Sequence, residues 1–490
     1  MKLRDLRTLP KDDSGAIIVF WAVCLTVILG IVALSFDFGQ KAATQSELQS
    51  FADQVALAAA GELDGKADAI TRSTNAAANL IIDQQTFATG ARALAGSTNY
   101  TLTFYRTLPG SDTASIDPGL TTDPALARYV RARSVPRTVP FTFMAAFDAL
   151  RGGTTANPQI GATAVAGFTQ FACDITPLMF CIPSSTFKAK DNIGKMIWMR
   201  AGGSGSAWGP GNFGFLDPTA GGVVDPNGPC AGLGSGPMLA CLLGASGAIT
   251  QCFSQRGVNT EPGQKVGIVN VAFNTRFDMY SGMMSGDKNR PLYAPAPNVI
   301  KGMKPASTGG NRACNPQPAS ETASLPRDNC FYTNTCANGG RFGDGNWSNA
   351  LTGRPNYVTR NYGATDPHPS ATTRYAYYLA EIAAHGGGAS TARILPASEP
   401  ETGRPQCSNQ QSPNPERRVL VAAGIDCAAN PVNGSATNIP VQEFVKVFLT
   451  EPVGATTTFD MFVEVVGPAE TGSGTAVTGG IFHDVVQLYR

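Results

Sequence analysis

At 490 residues the chain exceeds the size at which one hydrophobic core stops growing, so two or more folded units are expected. The 37 Lys plus Arg balance 36 Asp plus Glu to a net charge of +1, which removes the broad positive field a nucleic-acid backbone requires; no nucleic-acid partner is expected. A hydrophobic content of 43% excludes disorder throughout, while 54 Gly and 34 Pro predict long loops between packed regions.

Residues 1–15 carry Lys2, Arg4, Arg7 and Lys11 ahead of the uncharged stretch AIIVFWAVCLTVILGIVALSF, residues 16–36. At 1.5 Å per residue that stretch covers about 30 Å, the thickness of a hydrocarbon core, so a transmembrane anchor is expected over 16–38. The next basic residue is Lys41. The positive-inside bias therefore predicts a cytosolic N-terminus and a periplasmic bulk in a bacterial cytoplasmic membrane. A cleaved secretory signal has a shorter apolar run closed by a small-residue site. Here the nearest Ala-rich site, Ala56–Ala60, lies well past the run, and a retained anchor is expected. Gly15 stands where a prepilin cleavage site would, but the fifth residue after it is Phe20 rather than the Glu of pilins, so processing is not expected there. Ala22, Thr26 and Gly30 recur every fourth residue and share one helix face, a small-xxx-small surface on which a second helix, including one from another copy, could approach.

Beyond the anchor, residues 38–63 lack Pro and are rich in Ala, Gln, Leu and Glu, so the helix continues outward. Leu48, Phe51, Ala52, Val55, Ala59 and Leu63 form one apolar stripe opposite Gln45, Glu47, Gln49 and Gln54. That stripe needs a partner, either the next helix, expected from Lys66 to about Asp83, or a second protein. Residues 39–97 thus read as a helical stalk.

From 98 to 168 the period shortens, and a small α/β unit is expected. Strands are predicted over Tyr100–Arg106, Ala127–Val135 and Ile160–Phe168, with a helix over Phe141–Leu150 closed by Gly152 and Gly153. Arg128, Arg131, Arg133 and Arg137 form a basic cluster, read as the solvated face of a strand.

Residues 169–490 hold ten of the eleven cysteines: Cys173, Cys181, Cys230, Cys241, Cys252, Cys314, Cys330, Cys336, Cys407 and Cys427; Cys24 lies in the anchor. An even set on the exported side predicts up to five disulfides, with Cys173/Cys181 and Cys330/Cys336 as candidate local pairs. No C-x-x-C pair occurs, and His368, His385 and His483 show no ligand spacing with the cysteines, so no metal is expected. The Gly-rich tract 202–236 reads as loop. Strands are predicted over Lys265–Phe273, Arg417–Ile425, Phe444–Leu449, Phe459–Val466 and Asp484–Tyr489. One helix is predicted with Ser370 as cap, Tyr375, Tyr378, Leu379 and Ile382 on its buried face, and His385–Gly386 at its end. The fold class is α+β: one transmembrane helix extended outward, a small α/β unit, and a disulfide-stapled, β-dominated domain.

Catalytic signatures are absent. No G-x-S-x-G, P-loop or strand–G-x-G-x-x-G–helix occurs, and His483–Asp484 are strand neighbours that point to opposite faces. Asp225–Gly228 and Asp344–Asn346 carry too few regular oxygen ligands for calcium and read as turns. No catalytic residue, metal or cofactor is assigned.

The first 60 residues resemble the TadG-like/TadE-like proteins of the tight-adherence (Tad, Flp pilus) assembly system. The likeness rests on Ser14–Gly15–Ala16 at membrane entry, Asp37–Phe38–Gly39 at its exit, then Leu48–Gln49, Ala52–Asp53 and Ala56–Leu57–Ala58–Ala59–Ala60. Phe448–Pro452, Val485–Arg490 and CDITPLMFC (173–181) are similar more loosely. The resemblance implies a membrane-anchored, periplasm-facing, non-enzymatic scaffold or docking subunit of pilus assembly, with other envelope proteins as partners. The D-x-S-x-S metal loop of the von Willebrand factor A domain found in many such proteins is absent, so the resemblance does not carry metal-dependent adhesion over to this chain. Two rival readings are a surface adhesin or minor filament subunit, and a periplasmic enzyme.

Overall fold

The computed structural model describes residues 14–489 apart from 112, 151, 155, 174, 203–206, 219–221, 225–226, 246–250, 255–256, 263–264, 266, 455–459 and 470–480. The described chain divides into two compact units, one of residues up to 169 together with 484–490, the other of residues 170–483. The α+β class, the long apolar helix near the N-terminus and the disulfide-bonded β-rich region are all present.

In the first unit a single helix, α1 (Ser14–Ala60), runs without interruption because no proline breaks its ladder and residues 40–60 are mostly good helix formers. It is the one described helix long and apolar enough to cross a membrane. From Leu48 onward its stripe is buried: Leu48, Phe51, Ala52, Val55, Ala56 and Ala59 pack against α2 (Ala69–Leu80) and against an antiparallel sheet. In that sheet Tyr100–Tyr105 pairs with Tyr129–Ser134, which pairs in turn with the first half of the strand Thr163–Cys173. The sheet offers mostly small side chains to the helix, Ala132, Ala164 and Ala166 beside Val130 and Phe168, so backbones approach closely. Thus residues 39–97 and 98–168 share one core. The helix expected to reach Asp83 ends at Leu80; the β-branched Ile81 and Ile82 turn extended, and Ile82–Gln84 pairs with Ala93–Ala95. A further helix, α3 (Thr142–Leu150), sits in an excursion whose base is the short ladder Arg137–Thr138 against Gln159–Ile160.

The second unit is built on a closed ring of strands. Asn212–Leu216 pairs with Leu178–Cys181, then come Val419–Ile425, Glu443–Leu449, Asp460–Pro468 and Met196–Ala201, and the last pairs back with Asn212–Leu216. Six strands thereby make a barrel with no free edge. Alternate residues point inward: Leu178, Phe180, Ile197, Met199, Phe213, Phe215, Leu420, Val445, Val447, Met461 and Val463 fill it. Helix α4 (Ser235–Gly244) and helix α5 (Val269–Asn274) add Leu239, Leu243, Val269 and Phe273 to the same cluster.

Two sequence expectations fail here. The segment Lys265–Phe273, expected as a strand, forms α5 at its apolar end, buried around most of its circumference; a continuous apolar run carries no period that separates strand from helix. The tract 202–236 is not all loop, since Asn212–Leu216 is a barrel strand. Its glycines serve packing: a Cβ on Gly214 would lie 2.4 Å from the Trp208 ring, so only glycine lets the indole lie across the strand.

All ten cysteines beyond residue 170 are paired: Cys173–Cys252, Cys181–Cys427, Cys230–Cys241, Cys314–Cys407 and Cys330–Cys336. The local pair Cys330–Cys336 is as expected, whereas Cys173–Cys181 is not formed. Cys173 stands directly across a ladder from Cys252, and Cys181 is in register with Ile425, two residues before Cys427. Cys24 is free.

Candidate functional site

From Ile17 to Phe36 almost every side chain of α1 is exposed, Trp21 at 64% and Leu29 at 58% among them. Such a surface is incompatible with water over this length and suits lipid. Ala22, Thr26 and Gly30 lie within it. The Thr26 hydroxyl donates to the Ala22 carbonyl at 2.8 Å, which satisfies it in an apolar medium, and nothing lies within 4 Å of a Cβ built on Gly30.

Where the exposed span ends, Asp37 is 1% exposed. Its carboxylate accepts backbone N–H bonds from Thr142 (3.1 Å), Phe143 (3.0 Å) and Met144 (2.7 Å), the first turn of α3. Three otherwise unpaired donors and the positive end of a helix dipole are met by one residue more than a hundred positions upstream. Phe36 stacks edge-on against Phe143 and Phe38 against Phe141 on either side of this cap. Asp37 and Phe38 are thus part of the joint between α1 and the folded unit, while Gly39 has no neighbour within 4 Å of a Cβ built on it.

Above the joint, one face of α1 is buried and the opposite face is polar. Leu48, Ala52 and Ala56 lie in the core and Leu57 packs at its margin. Asp53 accepts from Gln49 at 2.8 Å, and Gln49 also reaches the Thr163 carbonyl at 3.2 Å. Ala42, Gln45, Ser46, Gln49, Asp53 and Leu57 line a shallow open groove along the helix. Gly15 opens the helix at its N-terminal end.

The second unit carries the strongest internal electrostatics. Arg374, at the start of the helix Arg374–Ala384, is wholly buried and bonds Asp328 at 2.5 Å and Glu464 at 3.0 Å. Burial raises the Glu464 carboxyl above its ordinary value, against the pull of Arg374. Glu381 on the same helix is pushed up to about 7 by burial, although Tyr357, Tyr362 and Asn298 all donate to it. Sequence reading missed both groups, whose partners lie 19–90 residues away in the chain. The helix is capped by Thr373, whose hydroxyl accepts from Ala376 N at 3.1 Å, rather than by Ser370, and His385 ends it as expected. His385 Nδ1 lies 3.0 Å from the Glu381 carbonyl, and His368 packs edge-on against Tyr377, its pKa lowered by burial. The side chains of His483 and Asp484 lie outside the described residues, as do Asp225 and Pro226. Asp344 accepts from Asn346 N in an Asx turn. Among the described residues no group of His, Cys, Asp and Glu could hold a metal.

One open groove of about 470 Å³ is lined by Trp198, Phe462, Phe331 and Arg327. Trp198 and Phe462 stack nearly parallel at 5.7 Å, Arg327 lies 3.6 Å over Phe462, and Arg341 4.6 Å over Trp198. Glu451 and Asp460 at its rim are held by Arg327 and Arg200. Flat aromatic and guanidinium faces can bind, but this lining offers no nucleophile beside a base.

Residues 15–62 match the family model described as putative Flp pilus-assembly TadE/G-like. The matched segment is α1 with the turn after it, the stretch on which the resemblance rests. No curated protein and no solved structure matches the chain.

Proposed function

We propose that this chain is a non-enzymatic, membrane-anchored component of Flp/Tad-type pilus assembly, a scaffold or docking subunit whose folded units stand in the periplasm and engage other envelope proteins. The observation that carries the reading is the coincidence of the TadE/G-like match with one helix that is lipid-compatible at one end and core-forming at the other. A helix continuous across that change transmits the position of the membrane to the folded unit without a flexible link. Lys2, Arg4, Arg7 and Lys11 favour a cytosolic start, and five disulfides favour an oxidising compartment for the residues beyond the anchor.

The test is a chromosomal deletion with a topology reporter. The deletion strain should lose Flp-type pili by electron microscopy, and alkaline phosphatase fused after Arg490 should be active while a cytosol-only fluorescent reporter stays dark. Normal piliation in the deletion strain, or a reporter active only in the cytosol, overturns the reading.

A further inference from the structure

Helix α3 poses a problem that a membrane anchor resolves. Its sequence, TFMAAFDAL, has one charge in nine residues, yet Phe143 is 44% exposed and Ala145, Ala146 and Ala149 are exposed as well. Its principal neighbour is α1, and of its side chains described as exposed Phe143, Ala145, Ala146 and Ala149 are apolar and Thr142 is polar. None of its described side chains is buried, and in water an apolar segment this short, left exposed, is a liability.

Its height is fixed by Asp37. Residues 16–36 span about 30 Å, so residue 37 stands where the hydrocarbon core ends. The cap holds the first turn of α3 at that level, with Phe36 and Phe38, each 53% exposed, and Phe143 beside it. Helices lying at that depth bury Phe and other apolar side chains in the boundary between headgroups and acyl chains, which is the solvent an apolar helix held there finds.

We propose that α3 is a second membrane contact, a monotopic foot lying in the outer interfacial layer of the lipid bilayer, clamped to the transmembrane helix by the Asp37 carboxylate. The occupant of its exposed face is lipid because that face is continuous with the lipid-facing surface of α1. Two attachment points restrain the tilt and rotation that a lone helix would leave to the folded unit. The inference rests on α1 spanning the bilayer, so the test reads the two separately.

The full-length protein is reconstituted into phosphatidylcholine nanodiscs and carries an environment-sensitive fluorophore either on native Cys24 or, in a Cys24→Ser background, on Ala146→Cys. Spin-labelled phosphatidylcholines place the quencher near the headgroup or near the chain end. The Cys24 label should be quenched most by the deep lipid, and the Ala146→Cys label should shift to the blue and be quenched most by the shallow one. Adding Asp37→Ala should reduce that shallow quenching while the Cys24 signal stays. A Cys24 label quenched as expected beside a water-like Ala146→Cys label overturns the foot alone. Blue-shifted emission at Ala146→Cys without lipid quenching means a protein partner covers the helix, and also overturns it. Failure at Cys24 overturns the anchor and the foot together.

Discussion

The two units solve the stability problem by different means. The first, with no disulfide among its described residues, packs one helix onto a sheet through alanines, and secures the remote α3 with a single carboxylate cap. The second fills a closed barrel with Phe, Met, Val and Leu, staples its loops with five disulfides and buries arginines against carboxylates and carbonyls. Close helix–sheet contact leaves an interface with few alternative packings, so it holds α1 at one angle to the sheet. Long irregular loops, by contrast, have little periodic packing of their own and need cross-links to stay ordered.

The contrast breaks first at Arg374. Arg374→Ala leaves the buried Asp328 and Glu464 with backbone donors but no counter-charge and should cost about 3–5 kcal/mol. Trp198, Trp208 and Trp347 all lie in the second unit, so urea unfolding followed by tryptophan emission reads the loss, while amide exchange in 48–60 should stay unchanged. A loss below about 1 kcal/mol would place the stability of the unit elsewhere. Next comes Cys181–Cys427, which closes a loop with a sequence separation of 246; Cys181→Ala with Cys427→Ala should cost about 2–5 kcal/mol. Removing Cys330–Cys336, with a separation of only 6, should cost less, at most about 2 kcal/mol. Equal losses would refute a loop-entropy origin.

Glu381 gives the second unit a pH signature. Its folded pKa near 7 stands above the ordinary 4.5, so between those values the folded state holds the proton more tightly than the unfolded one. The stability this contributes is fully present below about pH 4.5 and is lost as pH rises through 7, a change of about 3 kcal/mol. Glu381→Gln should flatten that slope in tryptophan-monitored unfolding across pH 4.5–8; an unchanged slope would assign it to other groups.

In the first unit the corresponding weak point is Asp37. Asp37→Ala should cost about 1–2 kcal/mol and speed exchange of the amides of Thr142, Phe143 and Met144, leaving the tryptophan transition of the second unit in place. Unaltered exchange at those three amides would deny the cap.

Period and length made much of this legible in sequence. The apolar span follows from its length, the Leu48–Leu63 stripe from the spacing that burial on one face imposes, and the barrel strands at 419–425, 443–449 and 460–468 from runs rich in β-branched and aromatic residues. What failed was non-local or aperiodic. Cys173 had a nearer cysteine in sequence than Cys252, but ladder register decides contact and is not written in spacing. Val269–Asn274 is buried on nearly all sides, Asn274 included, so it shows neither period. Asn212–Leu216 hid among glycines whose missing side chains make room for Trp208. Asp37 stood out as part of a family-like pattern, yet its work as a cap depends on α3, more than a hundred residues on.

The smallest expected effect tests what does not hold the first unit together. Arg131, a member of the basic cluster, lies 3.4 Å from Asp117 and 5.3 Å over the Tyr105 ring. Asp117 is 68% exposed, so water screens the pair, and exposed pairs of this kind contribute about 0–1 kcal/mol. Arg131→Ala should therefore change stability by under about 1 kcal/mol, an effect that shrinks further in high salt, with amide exchange of 129–134 as the measure. If it instead matched Asp37→Ala, the strand face would be an organised electrostatic site rather than a solvated one, and helix–sheet apolar packing could no longer account for the unit by itself.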